Sequence, residues 1–159
     1  MTMNNRLVHY LTEDGVKKLE QELVHLRKVR RPEVASRLHE AVDSGEGTDN
    51  ADFEESKNEQ AFVDGRIQDI ENILATSRVA HHDPKSRNIV EIGSTVTVAG
   101  QHGKRRIYQI VGSAEAAPLE NKISNESPLG HALVGGKKGT EVGYETPSGH
   151  QKLTIKKIQ

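Results

Sequence analysis

Apolar residues recur three and four apart over two long stretches of the chain, and each stretch reads as a helix. From Thr12, an N-cap residue followed by Glu13 and Asp14, the first stripe runs Val16, Leu19, Leu23 and Leu26. That spacing is a heptad seam. It continues less strictly through Val29, Val34, Leu38, Ala41 and Val42, and Pro32 interrupts it. A proline there removes a backbone donor and crowds the preceding turn, so a kink or a new segment is expected. The second stripe, Phe53, Ser56, Gln60, Val63, Ile67, Ile70 and Leu74, again alternates three and four. Between the stripes lies Asp43-Ser44-Gly45-Glu46-Gly47-Thr48-Asp49-Asn50, with two glycines and several turn formers. The simplest fold is an antiparallel α-helical coiled-coil hairpin over residues 1–80. Arms of about 30 residues at 1.5 Å each extend roughly 45 Å, with the loop at the far end.

The pattern changes after Ala75. Residues 81–88, with His81-His82-Asp83-Pro84, are polar and read as a linker. Beyond it, Ser94–Val98, Arg106–Val111, Glu141–Thr146 and Gln151–Ile158 alternate with a period of two, and Pro147-Ser148-Gly149 supplies a turn for the last pair. Ser127-Pro128 reads as an N-cap with proline at the first helical position, opening a short helix through Val134 that stops at Gly135-Gly136. Residues 89–159 are thus expected to form a small, mostly antiparallel sheet carrying one short helix. The fold class is α+β.

Composition narrows the function. The chain is 33% hydrophobic and 28% charged, which suits a molecule with little interior. It contains no cysteine, excluding disulfides, thiolate metal sites and a cysteine nucleophile. No apolar run is long enough for a membrane span, and the first ten residues lack a signal-peptide core, so a cytoplasmic protein without a membrane partner is expected. A formal net charge of −1, from 22 basic and 23 acidic residues, argues against a general electrostatic binder of nucleic acid. The five aromatics, Tyr10, Phe53, Phe62, Tyr108 and Tyr144, argue against a base-stacking platform.

Charge along the hairpin is uneven. Residues 1–37 carry eight Lys/Arg against five Asp/Glu, whereas 38–56 carry no cation and seven acids: Glu40, Asp43, Glu46, Asp49, Asp52, Glu54 and Glu55. The tip, at about 43–55, is anionic. Asp49, Asp52 and Glu54 suit the N-terminus of the second helix, where the dipole favours negative charge. Glu46 precedes that helix and Asp43 closes the first, where an anion is disfavoured. Hard cations such as Mg²⁺ take oxygen ligands and often use only one or two protein carboxylates. Acids on an exposed tip cannot close such a site alone, but they can complete one belonging to another macromolecule.

At these residues the sequence resembles the bacterial Gre transcript-cleavage factors, a family of transcription elongation factors. The matching stretches are Leu11–Gly15, Arg30–Val34, Gly45–Ala51, Glu59–Phe62 and Gly65–Ile67 in the first half. In the second half they are Gly93–Thr97, Tyr108–Gly112, Lys122–Ser124, Ser127–Leu133 and Thr146–Gly149. They fall in order along almost the whole chain. The resemblance implies a coiled-coil hairpin followed by an FKBP-like domain without assumed isomerase activity. It implies that the globular domain docks on RNA polymerase at the mouth of the secondary channel, through Ser127, Pro128, Leu129 and Gly130. The tip acids, matched to Glu46 and Asp49, then help to hold a second Mg²⁺ in the polymerase active centre, where backtracked nascent RNA is hydrolysed at its 3′ end. Lys57 matches an RNA-contacting cation. The chain itself would be an accessory factor and not an enzyme, with no cofactor of its own beyond Mg²⁺ shared with polymerase, and a monomer when free.

Three departures bear on that expectation. The family tip usually reads Gly-Asp-Leu-x-Glu-Asn, whereas this chain reads Gly-Glu-Gly-Thr-Asp-Asn, so the two acids exchange places and Gly47 replaces an apolar residue. Val42 stands where the family commonly has arginine. The alternative is therefore a Gre-like channel-binding protein that inhibits or modulates polymerase without efficient cleavage. A third reading, an active prolyl isomerase, has only Tyr108 and Tyr144 to line a pocket. Read without the resemblance, Ser127–Gly130 is an ordinary capped helix start. His81-His82-Asp83 lacks the i, i+4 ligand face of a helical metal site.

Overall fold

The computed structural model describes residues 8–44 and 51–159. Two compact units are present, one formed by Met1–Gly15 with Ser77–Gln159 and the other by Val16–Thr76.

In the second unit, α1 (Glu13–His25), a π-helical segment (Leu26–Arg30) and α2 (Arg31–Asp43) follow without a break, and α3 (Ala51–Thr76) returns alongside them. A new α-helical segment begins at Arg31, with Pro32 in its first turn, one of the two outcomes expected there. The proline ring has no N–H to give the carbonyl four residues back, and the winding widens instead, so that the Arg31 N–H donates to the Leu26 carbonyl. The widened turn takes up one extra residue. Leu19 and Leu26 are buried, and the next buried position is Val34, eight residues on instead of seven, followed by Ala41. Val29 and Val42, expected in the seam, are 40% and 53% exposed, because the phase shift turns them outward. The second stripe holds as read, with Ser56, Val63, Ile67 and Ile70 buried.

Ion pairs run along both sides of this narrow seam. Arg37 pairs with Glu59 at 2.5 Å, Arg31 with Asp64 at 3.0 Å, and Arg27 with Glu71. Partners climb α3 as positions descend the first arm, which is the antiparallel arrangement. Arg30 joins Glu59, and Arg66 makes a bidentate pair with Glu22 at 2.6 and 2.9 Å. The hydrogen bonds from Arg66 hold the Glu22 carboxyl below its ordinary range, against a smaller opposing effect of burial.

The sheet unit has five strands in the order β5-β4-β3-β7-β6. They are β3 (Thr95–Ala99), β4 (Arg105–Val111), β5 (Lys122–Ser124), β6 (Glu141–Thr146) and β7 (Gly149–Ile158), and only the β4–β5 pair is parallel. The short helix α4 (Pro128–Leu133) packs Leu133 into a core of Val90, Val96, Val98, Ile110, Ile155 and Ile158. The four strands read from alternation are present. The short β5 was not anticipated.

The partition differs from the expected boundaries at 80 and 88. Strand β1 (Tyr10–Thr12) pairs in parallel with β2 (Arg78–Ala80), which draws both ends of the predicted hairpin into the sheet unit. The backbone at Tyr10 passes so close to Gly112 that a Cβ there would lie 1.7 Å from the Tyr10 carbonyl oxygen. At the start of α1 the Thr12 hydroxyl accepts the Gly15 N–H at 3.0 Å, the capping expected from sequence. Glu115 adds a second cap, its carboxylate accepting the Thr12 N–H at 2.7 Å as well as the Thr12 hydroxyl. Residues 81–88 are also tied into the unit, since His81 pairs with Glu13 at 2.8 Å.

Candidate functional site

The acidic end of the hairpin unit is built by two helix termini. The last turn of α2 contains no basic residue, and the first turn of α3 carries Asp52 and Glu54. At the close of α2 the Ser44 N–H donates to the Glu40 carbonyl at 3.0 Å and its hydroxyl to the Ala41 carbonyl at 2.9 Å. The side chain thus satisfies terminal carbonyls that no later helical N–H reaches. Asp43, placed where the dipole disfavours an anion, pairs with His39 at 3.1 Å. Five of the seven acids, Glu40, Asp43, Asp52, Glu54 and Glu55, therefore sit on the two facing helix ends. Glu40, Asp52 and Glu55 border a cleft of about 320 Å³ with Arg37 on its rim.

Glu46 and Asp49, the two acids matched to the metal-binding pair, lie outside the described residues. Lys57 is exposed on α3, and so is Val42 on α2. The cleft supplies carboxylate oxygens, the donors a hard divalent cation prefers. Among the described residues no group of three His, Asp or Glu side chains is placed to hold a metal.

In the sheet unit, Ser127 caps α4 as expected: its hydroxyl accepts the Gly130 N–H at 3.0 Å and donates to the Ser124 carbonyl at 2.7 Å. Gly130 is buried, and a Cβ on it would come within 1.9 Å of the Ser124 oxygen, so this position belongs to the turn's own packing. Leu129 packs partly against the core, and Pro128 is exposed. Of the four residues matched to the docking loop, Pro128 is the one turned to solvent, and the other three also shape the loop. Sequence reading missed Leu119, fully exposed in a 3₁₀ turn at Pro118–Glu120. An isolated leucine beside a proline leaves no periodic signal.

Together, a helical hairpin with acids on its two converging helix ends and a small sheet unit carrying a capped helix define the class of protein. The chain belongs to the GreA/GreB family of transcription elongation factors. The family model for the transcription elongation factor N-terminal region matches residues 9–79, and that for the GreA/GreB C-terminal region matches residues 84–159. The chain is 42% identical to transcription elongation factor GreA of Clostridium acetobutylicum over 158 residues, covering 99% of this chain and 100% of that one. To the GreA of Acetivibrio thermocellus it is 43% identical over 160 residues, covering 100% of this chain and 99% of that protein. Among solved structures, GreA factor homolog 1 of Thermus thermophilus is 31% identical, with 96% of this chain and 99% of that chain covered and a TM-score of 0.44. Among the described residues no helix is long and apolar enough to cross a membrane.

Proposed function

We propose that this protein binds RNA polymerase at its secondary channel and stimulates Mg²⁺-dependent endonucleolytic cleavage of backtracked nascent RNA, rescuing arrested complexes in the cytoplasm. The observation that carries this reading is the meeting of five acids on two facing helix ends, in a segment from 38 to 56 without a single Lys or Arg. Such an end is repelled by phosphates unless a cation stands between them. A divalent ion held between Glu46, Asp49 and the polymerase would supply an activated water and neutralise charge developing on the phosphate.

The chain's own part is to deliver ligands and hold them in position. Glu46 and Asp49 are the two carboxylates assigned to the polymerase's metal site, and Lys57 is assigned to the RNA backbone. Ser127, Pro128, Leu129 and Gly130 are assigned to docking, with Ser127, Leu129 and Gly130 setting the loop and Pro128 offering its exposed surface. Polymerase supplies the primary catalytic groups, so the factor acts as an accessory and as a monomer.

The test is transcript release from a stalled complex of the cognate polymerase. Wild-type protein is expected to release short 3′ fragments only when Mg²⁺ is present, and Glu46→Ala or Asp49→Ala to reduce release by about 100-fold, the scale of a displaced catalytic ligand. No release by the wild type rejects the cleavage role. The exposed Val42, with the exchanged acids, favours a second reading in which the factor occupies the channel and slows nucleotide addition. Slower addition on an active complex, without fragment release, selects that reading.

A further inference from the structure

The inner face of the sheet is covered at one end and open at the other. Inward positions on β4 read Arg106, Tyr108, Ile110, and those on β7 read Gln151, Leu153, Ile155. The register offsets the two series, setting Arg106 level with Ile155 across Val98 of β3, so the boundary between the covered and open ends runs obliquely across the strands. At the covered end, Ile110 and Ile155 meet Leu133 of α4 in the core. At the other end the same face ends in Arg106 and Gln151, and Tyr144 of β6 lies directly across from Gln151. These side chains, with Tyr108 and Lys104, border a concave cavity of about 280 Å³.

Two of its cations are not engaged as those of the hairpin are. The Arg106 guanidinium donates to the Tyr108 hydroxyl at 3.4 Å, and among the described residues neither Arg106 nor Lys104 is in an ion pair with a carboxylate. Lys152, which also borders the cavity, is the exception and pairs with Glu141 at 3.1 Å. The surroundings reinforce the sign: residues 77–159 hold twelve Lys/Arg against seven Asp/Glu, although the whole chain is nearly neutral. The count of five aromatics argued against a stacking platform, yet the fold brings two of them to one basic hollow. Unpaired cations beside tyrosine rings match a ligand that alternates phosphates with planar bases. An acidic peptide would leave the rings without a role, and a duplex keeps its bases stacked inside.

We propose that this open end of the sheet binds single-stranded RNA, with a base against the rings of Tyr108 and Tyr144 and the flanking phosphates on Lys104 and Arg106. The site is separate from the acidic tip and does not depend on the reading given for it.

The experiment titrates a labelled ten-nucleotide single-stranded RNA with the full chain, followed by fluorescence anisotropy between about 50 and 200 mM salt. Saturable binding is expected. Lys104→Ala with Arg106→Ala should weaken it at least tenfold and flatten the dependence of log K on log salt by about 1.4, at about 0.7 per phosphate lost. Tyr144→Ala should weaken binding about fivefold or more while leaving the salt slope in place. Lys137→Ala with Lys138→Ala should leave it unchanged; circular dichroism checks that each variant is folded. Absence of binding at the lowest salt overturns the proposal. So does an equal loss from the Lys137 and Lys138 pair, or displacement of the RNA by an equimolar polyglutamate peptide, which would make the hollow a site for acidic polypeptide.

Discussion

The two units use arginine in opposite ways. In the hairpin, Arg27, Arg30, Arg31, Arg37 and Arg66 all reach carboxylates on the opposing arm, beside a seam of few buried apolar residues. In the sheet unit the hydrophobic core is continuous, and among the described residues Arg106 has no acidic partner. Where the interior is thin, charges are spent on joining helices. Where it is ample, packing does that work instead. The net charge near zero conceals this division.

The largest effect should come from the interiors. Ile110 and Ile70 are both 0% exposed, but Ile110 sits in a closed core and Ile70 in a two-helix seam that can relax around a smaller side chain. Ile110→Ala should cost about 3–5 kcal/mol and Ile70→Ala about 2–3 kcal/mol, read from the separate unfolding transitions of the two units in calorimetry. Equal losses would show that the seam is as rigid as the core.

A smaller effect is expected at the start of α1. Glu115→Gln turns an amide toward the Thr12 N–H and hydroxyl, both donors, and should cost about 1 kcal/mol in the thermal unfolding of the sheet unit. Thr12→Ser, which keeps the hydroxyl, should cost less.

The smallest concerns the ion pairs. The Glu22 carboxyl is held below its ordinary range by Arg66, so its stabilisation is complete above the unfolded carboxylate value and is lost as pH falls through the lowered one. Hairpin melting should therefore begin to weaken below roughly pH 4.3, and Glu22→Gln should flatten that decline. Because both side chains are substantially exposed, the difference should stay under about 1 kcal/mol and shrink in 1 M salt.

Much of this architecture was legible in advance. The α3 stripe from Phe53 to Leu74 and the Ser127 cap of α4 follow from periodicity and local chemistry alone. Other features depend on distant partners. Strands β1 and β2 are three residues each, too short for an alternating pattern, and exist through their pairing with one another. The widened turn before Pro32 was foreseen only as a disturbance, since a proline announces a missing donor without saying how the helix will absorb it. At the acidic end, the sequence identified the charge and the structure placed five of its seven bearers on converging helix ends. The basic hollow was hidden for a topological reason: Tyr108 and Tyr144 lie on strands separated by two others, and only the curvature of the sheet makes them neighbours.

One residue gained or lost in an ordinary α-helix swings everything beyond it by about 100°. The wide turn at Leu26–Arg30 already accommodates such a residue while the buried face stays aligned on either side. It works as a vernier. Trimming the chain there by a single position would shorten the reach of the arm by about 1.5 Å and leave its carboxylates on the same bearing.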